Sequence, residues 1–246
     1  MTPPHSEPQS PLGVSARGAL TAYALVSVVN LTSIATGNDT WANVTQWLLM
    51  PVLAVAFLLL PPRGTTPLPR LRTATLIALG FSCLGDSVPD LTNGDSAFLV
   101  MVGGFLCAQI AYLVGFLPHA RRSILTRAPL LTALYAVVFV GLVLACAGGA
   151  GPLLGPVVVY GATLTTMAVL STGLNRSTAI GGAIFMVSDS LIALGAFRHW
   201  TGVAMSVAVM ATYAVAQGLL VVGISRFRSA AHSDSAASAK SERSAR

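Results

Sequence analysis

Residues 96–117 read SAFLVMVGGFLCAQIAYLVGFL, a run without a charged residue in which Gln109 is the only amide side chain. A helix over this run is about 33 Å long at 1.5 Å per residue, enough to cross a hydrocarbon core of about 30 Å. The alternation with period two that an outer-membrane barrel strand requires is absent. Outward from this run, comparable apolar stretches fall at 18–36, 44–60, 73–90, 128–147, 152–170, 178–196 and 202–224. Pro61, Pro62, Pro67, Pro69 and Pro118 lie in the breaks between them, as helix breakers should. The whole chain is 54% apolar and 9% charged, where a soluble domain carries about 25% charged residues. The expected fold is therefore all-α: a polytopic membrane bundle of about eight transmembrane helices.

The flanks have a different character. Residues 1–17 are polar and hold Pro3, Pro4, Pro8 and Pro11, which reads as a disordered lead with no cleavable signal pattern. Residues 226–246 are Ser, Ala and charge, a disordered basic tail, which leaves 18–225 as a single eight-helix membrane domain. With the N-terminus inside, thirteen of the fourteen Lys and Arg residues fall on the inner side and only Arg198 outside. One span too many or too few would scramble that bias, so an N-in and C-in topology is expected. The net charge of +6 sits in loops and tails rather than on a folded face, which excludes a nucleic-acid surface. Cys83, Cys107 and Cys146 lie inside apolar runs without metal-ligand spacing and read as packed small residues. Low lysine with high alanine, glycine and arginine fits a bacterial genome rich in GC, and hence a bacterial plasma membrane.

Of the eight acidic residues, Glu7, Asp234 and Glu242 are in the tails and Asp39 and Asp95 in outer loops. Asp86, Asp90 and Asp189 remain within or at the edge of spans. A carboxylate in hydrocarbon costs at least about 2.5–3.5 kcal/mol on insertion scales, so it marks function and faces the bundle interior. Counting helical rise from the inner edges puts Asp86 about 20 Å deep and Asp189 about 17 Å deep. Asn30, Tyr160 and Tyr213 come out near the same layer, while Asp90 lies one turn outward of Asp86. Gln109 with Tyr112, Tyr213 with Gln217, and Ser82 with Asp86 share helix faces by spacing. Polar groups of this kind also serve simply to tie helices together, and for the Gln, Tyr, Asn and Ser side chains that reading stays open. Gly85-Asp86-Ser87 and Ser188-Asp189-Ser190 resemble each other, as an old duplication of four helices, or chance, would produce.

Two carboxylates at one level admit acid-base hydrolysis, an aspartyl protease pair, or an ion or proton relay. Intramembrane aspartyl proteases carry Gly-x-Gly-Asp, whereas Cys83-Leu84-Gly85-Asp86 lacks the first glycine and Ser188 precedes Asp189. A retinal protein is excluded because the only lysine, Lys240, is in the tail. His5, His119, His199 and His232 all lie outside the spans, so no metal site is expected.

Phe81-Ser82-Cys83-Leu84-Gly85-Asp86 resembles the third-helix motif of the YhhN-like lysoplasmalogenase family. Gly104 to Phe116 is similar to its fourth-helix pattern, Tyr160 followed by Met167 to the sixth helix, Phe185 to Ala193 to the seventh-helix Ser-Asp motif, and Tyr213 to Gln217 to the last helix. The resemblance runs in order over residues 20–225. It differs at two positions: the family usually has His where Gln109 stands and Lys where Gln46 falls, a possible proton carrier and a possible phosphate contact. The resemblance implies hydrolysis of the vinyl ether bond of a lysoplasmalogen to a fatty aldehyde and a glycerophospho-alcohol. Protonating the outer alkenyl carbon gives an oxocarbenium ion that water captures, which needs one protonated and one ionised carboxyl, as in glycosidases. Asp86 and Asp189 are the expected catalytic pair. Tyr160 and Tyr213 would orient the water or ether oxygen, Gln109 and Gln217 would bind the glycerol or headgroup, and Tyr112, Asn30 and Ser188 complete the expected substrate-binding set. The expected partners are a lysophospholipid and membrane lipid, with no cofactor, no metal and no nucleic acid; oligomeric state stays open. A small transporter or lipid-binding protein with the Asp pair as proton relay, and a family member that has lost catalysis, are the alternatives.

Overall fold

The computed structural model of the protein describes residues 14–61, 68–92 and 95–227. Most of the expected lead and tail, 1–13 and 228–246, lies outside the described residues. Among these residues the chain is helical throughout: α1 (Val14–Thr36), α2 (Asp39–Leu59), α3 (Pro69–Ser87), α4 (Asp95–Phe116), the one-turn α5 (Ile124–Arg127), α6 (Pro129–Ala150), α7 (Leu154–Ser171), α8 (Arg176–Arg198) and α9 (Val203–Arg226). Six continuous stretches are long and apolar enough to cross a membrane, and one of them, Pro129–Ser171, contains both α6 and α7. Helix α3, which carries Arg70, Arg72 and Asp86, is not among the six. The chain is an integral membrane protein.

Local chemistry sets the helix ends. Asn38 Oδ1 accepts from the Trp41 amide at 3.2 Å and starts α2. Asn175 and Thr178 form a reciprocal capping box at α8. Pro51 inside α2 has no N–H to give the Trp47 carbonyl, and the Cys83 thiol of α3 approaches that carbonyl at 3.9 Å. The span expected over 73–90 ends early, because Pro89 disfavours helical backbone at Val88. Helix α3 stops at Ser87, a 3-10 turn covers Val88–Leu91, and Asp90 lies in that turn, accepting from Trp47 Nε1 at 2.9 Å. Asp86 is thus the penultimate residue of α3, nearer the helix end than the span predicts.

Helices α1, α2, α3, α4, α7, α8 and α9 pack as a ring, each against the next, with α9 returning to α1 and also touching α2 and α3. Helix α6 packs outside against α7 and α8. Leu130, Val137 and Leu144 of α6 are 86%, 66% and 70% exposed, a surface that suits lipid rather than water. The core runs down the ring through Leu49, Phe57, Tyr112, Phe116, Met167, Phe185 and Leu220. Small residues let the helices approach where polar side chains must meet. A Cβ on Gly104 would stand 2.8 Å from the Cα and N of Gly85, so α3 and α4 touch backbone to backbone beside Asp86.

Beyond the end of α4, the ring of His119 packs edge-on against Phe227 with centroids 4.7 Å apart. Burial, then the neighbouring Arg122, push its pKa below the ordinary 6.5. The folded protein thus binds this proton less readily than the unfolded chain. Stability from His119 is full above the ordinary pKa of about 6.5 and is lost as pH falls below it, through the lower pKa of the folded state. Thermal unfolding in detergent at pH 7.5 and 5 should show a drop at pH 5 that His119→Phe reduces.

Candidate functional site: two carboxylates inside the helix ring

Asp86 on α3 and Asp189 on α8 are each 4% exposed. Each is gripped by a tyrosine. Tyr213 of α9 donates to Asp86 Oδ2 at 2.8 Å, and Tyr160 of α7 donates to Asp189 Oδ2 at 2.6 Å. Gln109 Nε2 of α4 adds a second donor to the same Asp189 oxygen at 2.9 Å. Gln46 Nε2 of α2 reaches the backbone carbonyl of Asp86 at 3.4 Å. Side chains from four other helices, α2, α4, α7 and α9, therefore fix the pair. The Tyr213 ring stands edge-on between Phe105 and Phe185, at centroid distances of 5.6 and 5.9 Å. Those rings lie one turn before Gln109 and Asp189 on their helices, so Tyr213 joins the two carboxylate clusters.

Next to the pair lies a second set of bonds. Tyr112 donates to Gln217 Oε1 at 2.7 Å, and Gln217 Nε2 donates to Ser82 Oγ at 3.0 Å. All of its atoms are satisfied, and it ties α4, α9 and α3 together one turn from Asp86. Gln109 differs: it is fully buried, yet its Oε1 has no partner. An unpaired buried carbonyl costs about 1–3 kcal/mol, so this oxygen is set to accept from a hydroxyl or water brought to Asp189.

Two cavities flank α8. A narrow apolar cleft of about 50 Å³ reaches Asp189 and Tyr160 between Phe98, Val102, Leu142 and Val157. A wider cavity of about 630 Å³ opens between α1–α2 and α8–α9, with Gln46, Met210, Asp39 and Trp200 in its wall. No group of three His, Cys, Asp or Glu able to hold a metal occurs among the described residues.

Seven of the nine expected site residues thus belong to these linked clusters. Two do not. Asn30 spends its amide on α2, donating to the Ala42 carbonyl at 2.8 Å and to Thr45 Oγ1 at 3.0 Å. Ser188 donates to the Val209 carbonyl at 3.0 Å. Both side chains tie neighbouring helices and do not touch the carboxylates. Gln46, read in the sequence only as a difference from the family pattern, does touch Asp86. Tyr23 was not singled out; its hydroxyl donates to the Ala214 carbonyl at 2.8 Å beside Tyr213, and nothing in an apolar helix without a preferred face marks it.

A family profile described as the YhhN family matches residues 41–224. Two curated relatives named lysoplasmalogenase, from Mycobacterium bovis and Mycobacterium tuberculosis, are each 31% identical over 185 residues, covering 69% of this chain and 67% of the relative. No solved structure matches the chain.

Proposed function

The chain belongs to the YhhN family, and from that premise we propose that it is a membrane hydrolase that opens the vinyl ether bond of lysoplasmalogens. The observation that carries this reading is the pair of buried carboxylates, each held by a tyrosine hydroxyl, with Asp189 in the wall of an apolar cleft and Asp86 bonded through its carbonyl to Gln46 in the wall of a wider cavity. The alkenyl chain enters from the bilayer, its first carbons in the cleft beside Asp189. Asp189 takes two donors on one oxygen, which suits the ionised form. Asp86, with one side-chain donor, is assigned as the acid.

Asp86 gives its proton to the outer alkenyl carbon, and the former π pair forms the new C–H bond. The positive charge, shared between the inner carbon and the ether oxygen, lies opposite ionised Asp189. Water adds to the inner carbon as Asp189 takes its proton, giving a hemiacetal. The C–O bond then breaks: Asp189 returns its proton to the leaving glycerol oxygen, and the hemiacetal hydroxyl gives its proton to Asp86. Aldehyde and glycerophospho-alcohol leave with both acids restored. The free Gln109 Oε1 holds the attacking water.

The topology proposed with this function is eight spans with both ends inside, in a bacterial plasma membrane. Eight helices of 18–24 residues support the count. Among the described residues, Arg17, Arg70, Arg72, Arg121, Arg122, Arg127, Arg176 and Arg226 fall at one end of the bundle and Arg198 alone at the other, which supports the orientation. Detergent-purified protein should release aldehyde from a 1-alkenyl lysolipid and leave the matched 1-acyl ester intact. No aldehyde from folded protein, or equal cleavage of the ester, would overturn the reading.

A further inference from the structure

The wider cavity beside α8 is not needed for the bond-breaking steps, and its wall has a definite chemistry. It is about 630 Å³ in volume, within the range of about 300–1,000 Å³ typical of ligand sites. Its charged lining residue is Asp39; no Lys, Arg or His lines it. Asp39 is exposed, and no ion pair holds it among the described residues. As the first residue of α2 it complements the helix dipole, but that accounts for Asp39 alone and not for what surrounds it. The α8–α9 turn, bent by His199 at φ 56° and Gly202 at φ 127°, brings Trp200 into the same wall with 54% of its surface exposed. A carboxylate and a half-exposed indole in the wall of one cavity, with no cationic side chain in its lining, form a site for an organic ammonium group.

Length supports the same assignment. Asp39, Asn43 and Gln46 follow one another down one face of α2 into the cavity, and Gln46 ends at the Asp86 carbonyl. Seven residues of helix separate Asp39 from Gln46, about 10 Å. In a lysolipid with an aminoethyl phosphate headgroup, nine bonds separate the ether oxygen from the ammonium nitrogen. That is the bond count of three extended residues, again about 10 Å. A lipid with its ether at Asp86 therefore brings its ammonium to the level of Asp39.

We propose that Asp39 and Trp200 form a headgroup subsite that holds the ammonium group of the lysolipid and sets preference for amine-bearing over purely anionic headgroups. This deepens the hydrolase reading and rests on it. The phosphate faces the mouth of the cavity, whose lining holds no cationic side chain.

The test compares two alkenyl lysolipids, one with a phosphoethanolamine headgroup and one ending at the phosphate, on wild type, Asp39→Asn and Asp39→Lys. Binding of the non-cleavable alkyl ether analogue of each is followed by calorimetry. The wild type should favour the amine lipid, and Asp39→Asn should reduce the ratio of the two kcat/KM values about three- to tenfold, through KM, as for exposed charge and cation–π contacts. Asp39→Lys should invert the preference. A wild-type ratio in Asp39→Lys, with aldehyde still released, would overturn the subsite and leave the hydrolase standing. If no lipid is cleaved, calorimetry decides: analogue binding that weakens in Asp39→Lys supports the subsite without the hydrolase, and binding blind to residue 39 removes it. Circular dichroism on each variant establishes that it is folded.

Discussion

Asp86→Asn and Asp189→Asn are each expected to cut aldehyde release by about 10²–10⁴-fold, the range over which a positioned acid or base contributes, without unfolding the protein. Asparagine keeps the shape of the side chain, and its carbonyl oxygen still accepts the Tyr213 or Tyr160 hydroxyl found on the aspartate at 2.8 or 2.6 Å. An amide is also cheaper than a carboxylate to keep among apolar helices. Thermal stability should therefore hold or rise while turnover disappears, a separation that a purely structural acid would not give. The two losses should not add, because the acids serve one proton circuit; the double variant should be about as inactive as either single one. Near-wild-type turnover in both single variants would sink the two-carboxylate mechanism while leaving the family and membrane assignments intact.

The second large effect lies in packing. Gly104→Ala should lower stability by about 1–3 kcal/mol, as overpacking does, and should also depress activity. The added Cβ meets backbone, the Cα and N of Gly85 at 2.8 Å, so it has no flexible chain end to push aside. Helices α3 and α4 must part, and Asp86 and Gln109 move with them. Gly103→Ala is the matched control: nothing lies within 4 Å of its Cβ position, so this neighbouring change should be neutral or mildly stabilising. Unfolding midpoints in detergent, read beside aldehyde release, check both. Indistinguishable variants would mean that the close α3–α4 contact does not hold the site.

The amino-acid sequence alone determined the class of this protein, because solvent choice is written in composition. Runs such as 96–117 suit only hydrocarbon, and the prolines between runs marked helix ends: α4 at Asp95–Phe116 lies within a residue or so of its expected span. The acids were legible for the same reason, since an Asp in such a run costs too much to be incidental. The family motifs around Asp86 and Asp189 were legible as well. Helix rotation was not. In a membrane the outside of a helix is as apolar as the inside, so no polar stripe tells which face turns inward, and α1, α4 and α9 show no clear apolar face. Asn30 and Ser188 therefore looked equivalent to Tyr160 and Gln109 until the ring of helices assigned the first two to neighbouring backbone carbonyls and the second two to Asp189. Only the tertiary structure decided that Tyr213 goes with Asp86, that the Gln109 carbonyl is left free, and that Asp39 and Trp200, distant in sequence, face one cavity. Each of these depends on how closely small residues let helices approach, a three-dimensional fit that the one-dimensional pattern does not encode.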